Sequence, residues 1–200
     1  VFIDLQVLPR LLDLLADNHE KSIKTGACWT ISNITAGNEQ HIQHVIDANI
    51  ISPLVQLLQN PEFDIKKEAA WVISNATYSA SVEQLRYLAS QECIAPLCDL
   101  LTCSDPRTVT VCLEAIENIL KLDEPDEDLD MDSYVGKTRF RYQYISKKIY
   151  DVRGHIAIRN LKSHANTELL GILLDNNKWG RKLVFQIQSH FPGYSGHVTP

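Results

Sequence analysis

Trp71 and Asn75 stand four residues apart in the stretch DIKKEAAWVISNAT, and the same pair returns as Trp29 and Asn33 in SIKTGACWTISNIT, 42 residues earlier. A third copy, TVTVCLEAIENIL, keeps the amide as Asn118 and places Glu114 where the Trp would stand. A second marker has nearly the same period: Leu14-Leu15, Leu57-Leu58 and Leu100-Leu101 follow one another at 43-residue intervals. Two unrelated markers with one period restrict the chain to an array of like units, each stable only when stacked on its neighbours.

Each unit reads as helices alone. A short helix, Gln40 to Ala48 or Val82 to Ser90, precedes one entered through Ser52-Pro53 or Ala95-Pro96, where proline is tolerated in a first turn. A polar turn, QNPEFD or TCSDPR, leads to the longer helix with the Trp/Asn pair, which begins near Asp64 or at Asp105-Pro106. No β-branched strand runs lie between the helices of residues 1–122, which excludes an alternating α/β fold. Three helices in ~42 residues is the arithmetic of an armadillo unit. The expected fold is therefore an all-α armadillo-repeat solenoid.

Charge divides the chain. Residues 1–122, whose first unit is incomplete, carry 8 Lys+Arg against 15 Asp+Glu. Residues 123–132 carry 7 acids and no base, and residues 133–200 carry 11 bases against 3 acids. An acidic array favours a basic peptide as partner and argues against nucleic acid. Residues 123–133 read as a solvated acidic linker. Asp128, Asp130 and Asp132 match the first three ligand positions of a calcium loop, but Ser133 stands where the sharp turn needs Gly and Arg139 where a bidentate Glu belongs.

Residues 134–179 read as a degenerate final repeat that caps the array. RYQYISKKIYDV fits an amphipathic helix there, followed by two apolar stretches around the polar turn Ser163-His164-Ala165-Asn166. Residues 180–200 fit no repeat and read as a poorly ordered tail. Lys137, Arg139 and Arg141, or Arg181-Lys182, supply a basic segment in cis able to compete for an acidic groove, although a solvated basic face is the simpler reading.

Nothing in the pattern points to catalysis, and no cofactor or metal is expected. His41 and His44 share a helix face without a third ligand nearby, and no nucleophile arrangement or Gly-rich phosphate loop occurs. Cys28, Cys93, Cys98, Cys103 and Cys112 are an odd set and read as buried free thiols. Steps of five residues, as from Cys93 to Cys98 to Cys103, turn roughly 140° on a helix and do not converge on one ion. No apolar run approaches the ~20 residues of a membrane span, so no membrane insertion is expected and the chain reads as soluble and intracellular. It opens at Val1 within a repeat, as a fragment or an incomplete gene product would.

Along the array the Trp/Asn pairs form rungs. Helices packed side by side lie ~8–10 Å apart, and an extended peptide advances ~3.4 Å per residue, so successive rungs match every second or third ligand residue. An Asn carboxamide can bond a peptide N–H and C=O, while a Trp face takes the stem of Lys or Arg. Glu68, one turn before Trp71, is placed to meet the cation.

On these residues, ACWTISNITAGN, LVQLLQNPEFDIKKEAAWVISNAT and IAPLCDLLTCSDPRTVTVCLEAIENILK, the chain resembles the importin alpha family over residues 1–122. IAIRNLKSHANTE resembles that family's final repeat more weakly. The resemblance implies a right-handed superhelix and a nuclear import adaptor, shuttling between cytoplasm and nucleus, that binds basic nuclear localisation signal peptides in its concave groove. It implies a minor binding site at Trp29, Ser32, Asn33, Glu68, Trp71 and Asn75, continued by Glu114 and Asn118 in the next repeat. Thr25-Gly26 stands where the family has a basic residue and Glu. The implied partners are signal peptides of cargo, importin beta where a further N-terminal segment exists, and the export receptor and nucleoporins through the C-terminal part. The alternative is a truncated armadillo scaffold for protein–protein interaction without transport activity.

Overall fold

A computed structural model describes residues 7–16, 18–123 and 144–161. The chain runs through α1 (Val7–Leu14), α2 (Lys21–Thr35), α3 (Glu39–Asp47), α4 (Ile51–Leu57), α5 (Phe63–Tyr78), α6 (Val82–Ser90), α7 (Ile94–Leu100) and α8 (Pro106–Leu120). A 3-10 turn (Lys121–Asp123) follows, and then α9 (Tyr144–Asp151) and α10 (Gly154–Leu161). No strand occurs among the described residues.

Local chemistry sets the helix limits. Ser81 and Gln84 form a capping box at the start of α6, and the Asp105 carboxylate accepts the Thr108 N–H at 3.1 Å with Pro106 in the first turn of α8. The turn from α3 into α4 passes through Asn49 at φ 56°, with the Asn49 N–H bonded to the Ile46 carbonyl and the Ile50 N–H to that of Val45. This arrangement satisfies carbonyls that a helix end leaves free. Glu92 (φ 61°) occupies the same place between α6 and α7, and Arg153 (φ 59°) between α9 and α10. The turn from α9 into α10 thus has the same left-handed residue as the turns from α3 into α4 and from α6 into α7.

Stacking does the rest. Helices α2, α5 and α8 lie side by side, backed by α1, α4 and α7 respectively. Ile31, Ile51, Leu54, Ile73, Leu97 and Ile116 are buried between these layers. Helix α10 packs on α7 and α9, and α9 also meets α8 and the 3-10 turn, so both helices pack against the end of the stack.

Asp123 departs from the reading of residues 123–133 as a solvated linker. It is buried, and its carboxylate accepts the backbone N–H groups of Ile145 and Ser146 at 3.1 and 2.7 Å and the Ser146 hydroxyl at 2.7 Å. The first residue of the acidic run is thus bonded to the start of α9, 22 residues away. The rest of that run, the basic groups Lys137, Arg139, Arg141, Arg181 and Lys182, the turn Ser163 to Asn166 and the tail lie outside the described residues.

All five cysteines are free thiols; four are buried and Cys103 is half-buried. Burial pushes Cys28, Cys93 and Cys98 up to about 12. Cys93 precedes α7, Cys98 lies within it and Cys103 follows it, so the three do not share one helix as the five-residue spacing suggested. No group of three or more His, Cys, Asp or Glu among the described residues is placed to hold a metal ion. No helix among them is long and apolar enough to cross a membrane.

Candidate functional site

The face to explain is the one that α2, α5 and α8 turn away from the core. In α2, Ala27, Cys28 and Ile31 are buried, which leaves Trp29 pointing outward at 63% exposure. In α5, Ala69, Ala70, Val72 and Ile73 are buried and Trp71 is half-buried against the core edge. The indoles therefore lie at one phase on neighbouring helices, the first as an open shelf and the second as a partly walled one. Neither is a core residue.

The three amides are held differently. Asn33 is exposed, and its Nδ2 donates to the Trp29 carbonyl of its own helix at 3.1 Å. Asn75 is half-buried, and its Nδ2 donates across the stack to the Ser32 carbonyl at 3.2 Å and to the Ser32 hydroxyl at 3.1 Å. Asn118 is 8% exposed; its Nδ2 donates to the Thr77 hydroxyl at 3.2 Å and its Oδ1 accepts from Lys121 Nζ at 2.6 Å. The capacity left for a ligand falls along the array. Asn33 keeps an acceptor and a donor, Asn75 keeps its acceptor, and Asn118 has both ends of its amide engaged.

Charge is uneven as well. Lys21 of α2 bridges to Glu62 at 3.5 Å and to Asp64 at the start of α5. The Asp64 carboxylate beside it holds the Lys21 ammonium above its ordinary value, and Lys21 in turn holds the Asp64 carboxyl below its own. Glu68 is half-buried and close enough for its charge to help raise the Cys28 thiol, after burial as the main cause. Glu114 keeps an exposed tip, yet neighbouring protein withdraws enough water to raise its carboxyl above the usual value. A separate cleft of about 540 Å³ between α1 and α4, lined by Leu12, Leu15, Pro53 and Leu57 among others, includes none of these groups.

The Armadillo/beta-catenin-like repeat family matches residues 1–36, 38–78 and 81–121. The chain belongs to that family. The chain is 56% identical over 156 residues to importin subunit alpha-4 of Arabidopsis thaliana, covering 78% of this chain and 28% of that protein. It is 58% identical over 170 residues to importin subunit alpha-1b of Oryza sativa subsp. japonica, covering 84% and 30%. The chain thus spans about three tenths of the length of these curated relatives. Among solved structures, a designed armadillo repeat protein in complex with peptide (KR)4 superposes with a TM-score of 0.66 at 26% identity, covering 91% of this chain and 64% of that one. Armadillo repeat proteins computationally designed for modular peptide recognition give 0.67 at 26% identity, covering 90% and 63%.

In this armadillo array Trp29, Ser32 and Asn33 share α2, Glu68, Trp71 and Asn75 share α5, and Glu114 and Asn118 share α8. The three helices are adjacent, so the residues form one continuous strip. Thr77 and Lys121, both bonded to Asn118, were missed in the sequence because neither belongs to the repeating Trp/Asn pair. Only the near-period spacing from Thr77 to Asn118, 41 residues, hinted at a cross-helix partner.

Proposed function

We propose that this armadillo array is a nuclear import adaptor of the importin alpha type, holding an extended basic signal peptide across α2, α5 and α8. The observation that carries the reading is the placement of Trp29 and Trp71 at one phase on neighbouring helices, both accessible. Each indole offers a face for the aliphatic stem of Lys or Arg, with cation–π attraction of about 0.5–2 kcal/mol for the head group. Asn33 and Asn75 retain acceptors for the ligand's backbone, which would hold it extended without reading its side chains. The (KR)4 complex of a designed relative of the fold supports a basic ligand on such a surface. Cargo signal peptides are the direct partners in this proposal, and movement between cytoplasm and nucleus follows from the role. Contacts with importin beta, the export receptor and nucleoporins fall to segments beyond the strip.

Fluorescence polarisation with a labelled lysine-rich signal peptide tests the proposal. Binding by the full chain, lost in Trp71→Ala with Asn75→Ala and reduced in Trp29→Ala, is the expected result, with helix content checked by circular dichroism. Equal affinity in the folded double variant refutes the groove assignment. Absence of basic-peptide binding alongside capture of an unrelated protein would instead favour a scaffold without transport activity.

A further inference from the structure

The amide row of the strip has two sides. One turn toward the helix starts lie the indoles; one turn toward the helix ends, three residues beyond Asn33, Asn75 and Asn118, lie Ala36, Tyr78 and Lys121. Ala36 is the C-cap of α2, Tyr78 ends α5 and Lys121 is the C-cap of α8, so the three hold one place on adjacent helices. All are exposed, and Tyr78, at 82%, shows a larger fraction of its surface than Trp29 does. A methyl group, a phenol and an ammonium thus follow one another where the neighbouring row repeats a single amide.

The Asn118 amide ties Lys121 to the end of α5. Its Nδ2 donates to the hydroxyl of Thr77, the residue before Tyr78, and its Oδ1 accepts from Lys121 Nζ at 2.6 Å. The tether is neutral and does not cancel the charge it holds. Of the three donors of an ammonium the amide takes one, and two remain. Across the strip, at the helix starts, cations and carboxylates answer one another: Lys21 pairs with Glu62 and Asp64, and Lys67 helps lower the Asp64 and Asp105 carboxyls. The ends of α5 and α8 carry partial negative charge, which a full ammonium outweighs at contact distance.

An extended ligand bonded to the amides sends successive side chains to opposite sides of its backbone. Those on one side meet the indoles, and those on the other meet the row at the helix ends, where Lys121 repels a cation. We propose that the ends of α5 and α8 form a subsite for an acidic residue, in which the Lys121 ammonium and the Tyr78 hydroxyl take the carboxylate of an Asp or Glu in the bound peptide. This rests on the peptide-binding reading and adds a requirement of opposite sign, an acid at the end of the ligand that lies over α8. The field of the array as a whole opposes such a residue, since residues 1–122 carry 8 Lys+Arg against 15 Asp+Glu. The preference is therefore local, and bulk electrostatics alone would reverse it.

Fluorescence polarisation on the full chain with two series of labelled peptides tests the subsite. Each peptide has the same lysine-rich core and one varied residue, Glu, Gln or Lys, placed at one end of the core in the first series and at the other end in the second. In the series whose varied end lies over α8, Glu is expected to bind about fivefold tighter than Gln, the upper scale of an exposed ion pair, and Lys weakest. The other series is expected in the reverse order. Lys121→Gln keeps an N–H for Asn118 but removes the charge, and should bring both series to that reverse order. Tyr78→Phe should cut the Glu preference to about twofold by removing one bond to the carboxylate. Glu no tighter than Gln in both series, or a Glu preference that survives Lys121→Gln or is untouched by Tyr78→Phe, overturns the subsite while the peptide-binding reading stands. Failure of every peptide to bind overturns that reading and the subsite with it.

Discussion

The two junctions of this array at α5–α8 and α8–α9 are held by different chemistry. Between α5 and α8 the seam is largely apolar, with Val111, Ala115 and Ile119 among the buried residues of α8, and it includes a neutral bond from Asn118 to the Thr77 hydroxyl. Between α8 and α9 a buried carboxylate, Asp123, binds two backbone N–H groups and one hydroxyl at the start of the incoming helix. A pair joining Lys148 to Glu92 at 2.6 Å lies nearby. Repeats with matching faces need little beyond apolar contact to stack. A helix pair that follows a break in the pattern is positioned by a charge at a helix start, where unpaired N–H groups and the helix dipole favour an anion.

This contrast can be broken at several points. The largest effect is expected for Asp123→Ala, which strips three charge-assisted bonds from a buried site and should destabilise α9 and α10 by about 2–3 kcal/mol. Hydrogen exchange should then accelerate across 144–161 while α2 and α5 stay protected; uniform acceleration would mean that the units unfold together. Next comes Gly154→Ala. A Cβ there would fall inside contact distance of Cys98 Sγ, so α10 must shift away from α7, at a cost of about 1–3 kcal/mol. Adding Cys98→Ala should recover part of that loss in a urea titration, and no recovery would place the strain elsewhere.

The neutral seam should be less sensitive. Asn118→Ala is expected to cost about 1 kcal/mol or slightly more, because it leaves a buried Thr77 hydroxyl short of a donor, and Asn75→Ala less because its site is half-buried. Chemical denaturation of both variants decides the order; a larger loss at Asn75 would contradict the seam described here.

The smallest effects concern pH. Hydrogen bonding from Thr108 holds the Asp105 carboxyl below its ordinary value, so its contribution is present above the unfolded Asp value and lost as pH falls through the folded one. The raised carboxyl of Glu114 has the opposite sign: its partial desolvation is free of cost when protonated and reduces stability as pH rises past the unfolded Glu value. Denaturation midpoints of Asp105→Asn and Glu114→Gln between pH 3 and 6 should shift in opposite senses relative to the parent chain. Parallel shifts would show that net charge, not these local environments, governs acid stability.

Much of this architecture is legible in one dimension, because what makes a helix is local. The Trp/Asn and Leu-Leu periods, the Pro positions and the Asp105 and Ser81 caps lie within a turn or two of what they control, and they give α6 and α8 their observed starts. The outward phase of Trp29 follows from the same periodicity, since Cys28 and Ile31 beside it must face inward. Gly26 against Glu68 is likewise readable as a difference between equivalent positions.

Partner choice was not readable. That Asn75 spends its donors on Ser32, that Asn118 is closed by Thr77 and Lys121, and that Asp123 leaves solvent to bind the first turn of α9 depend on stacking. The sequence by itself determined a helical array with repeated indole and amide positions. Only the tertiary structure decided which amides remain free, because a side chain's donors go to whatever acceptor the neighbouring unit brings within 3 Å or so, and that unit lies some forty residues away along the chain.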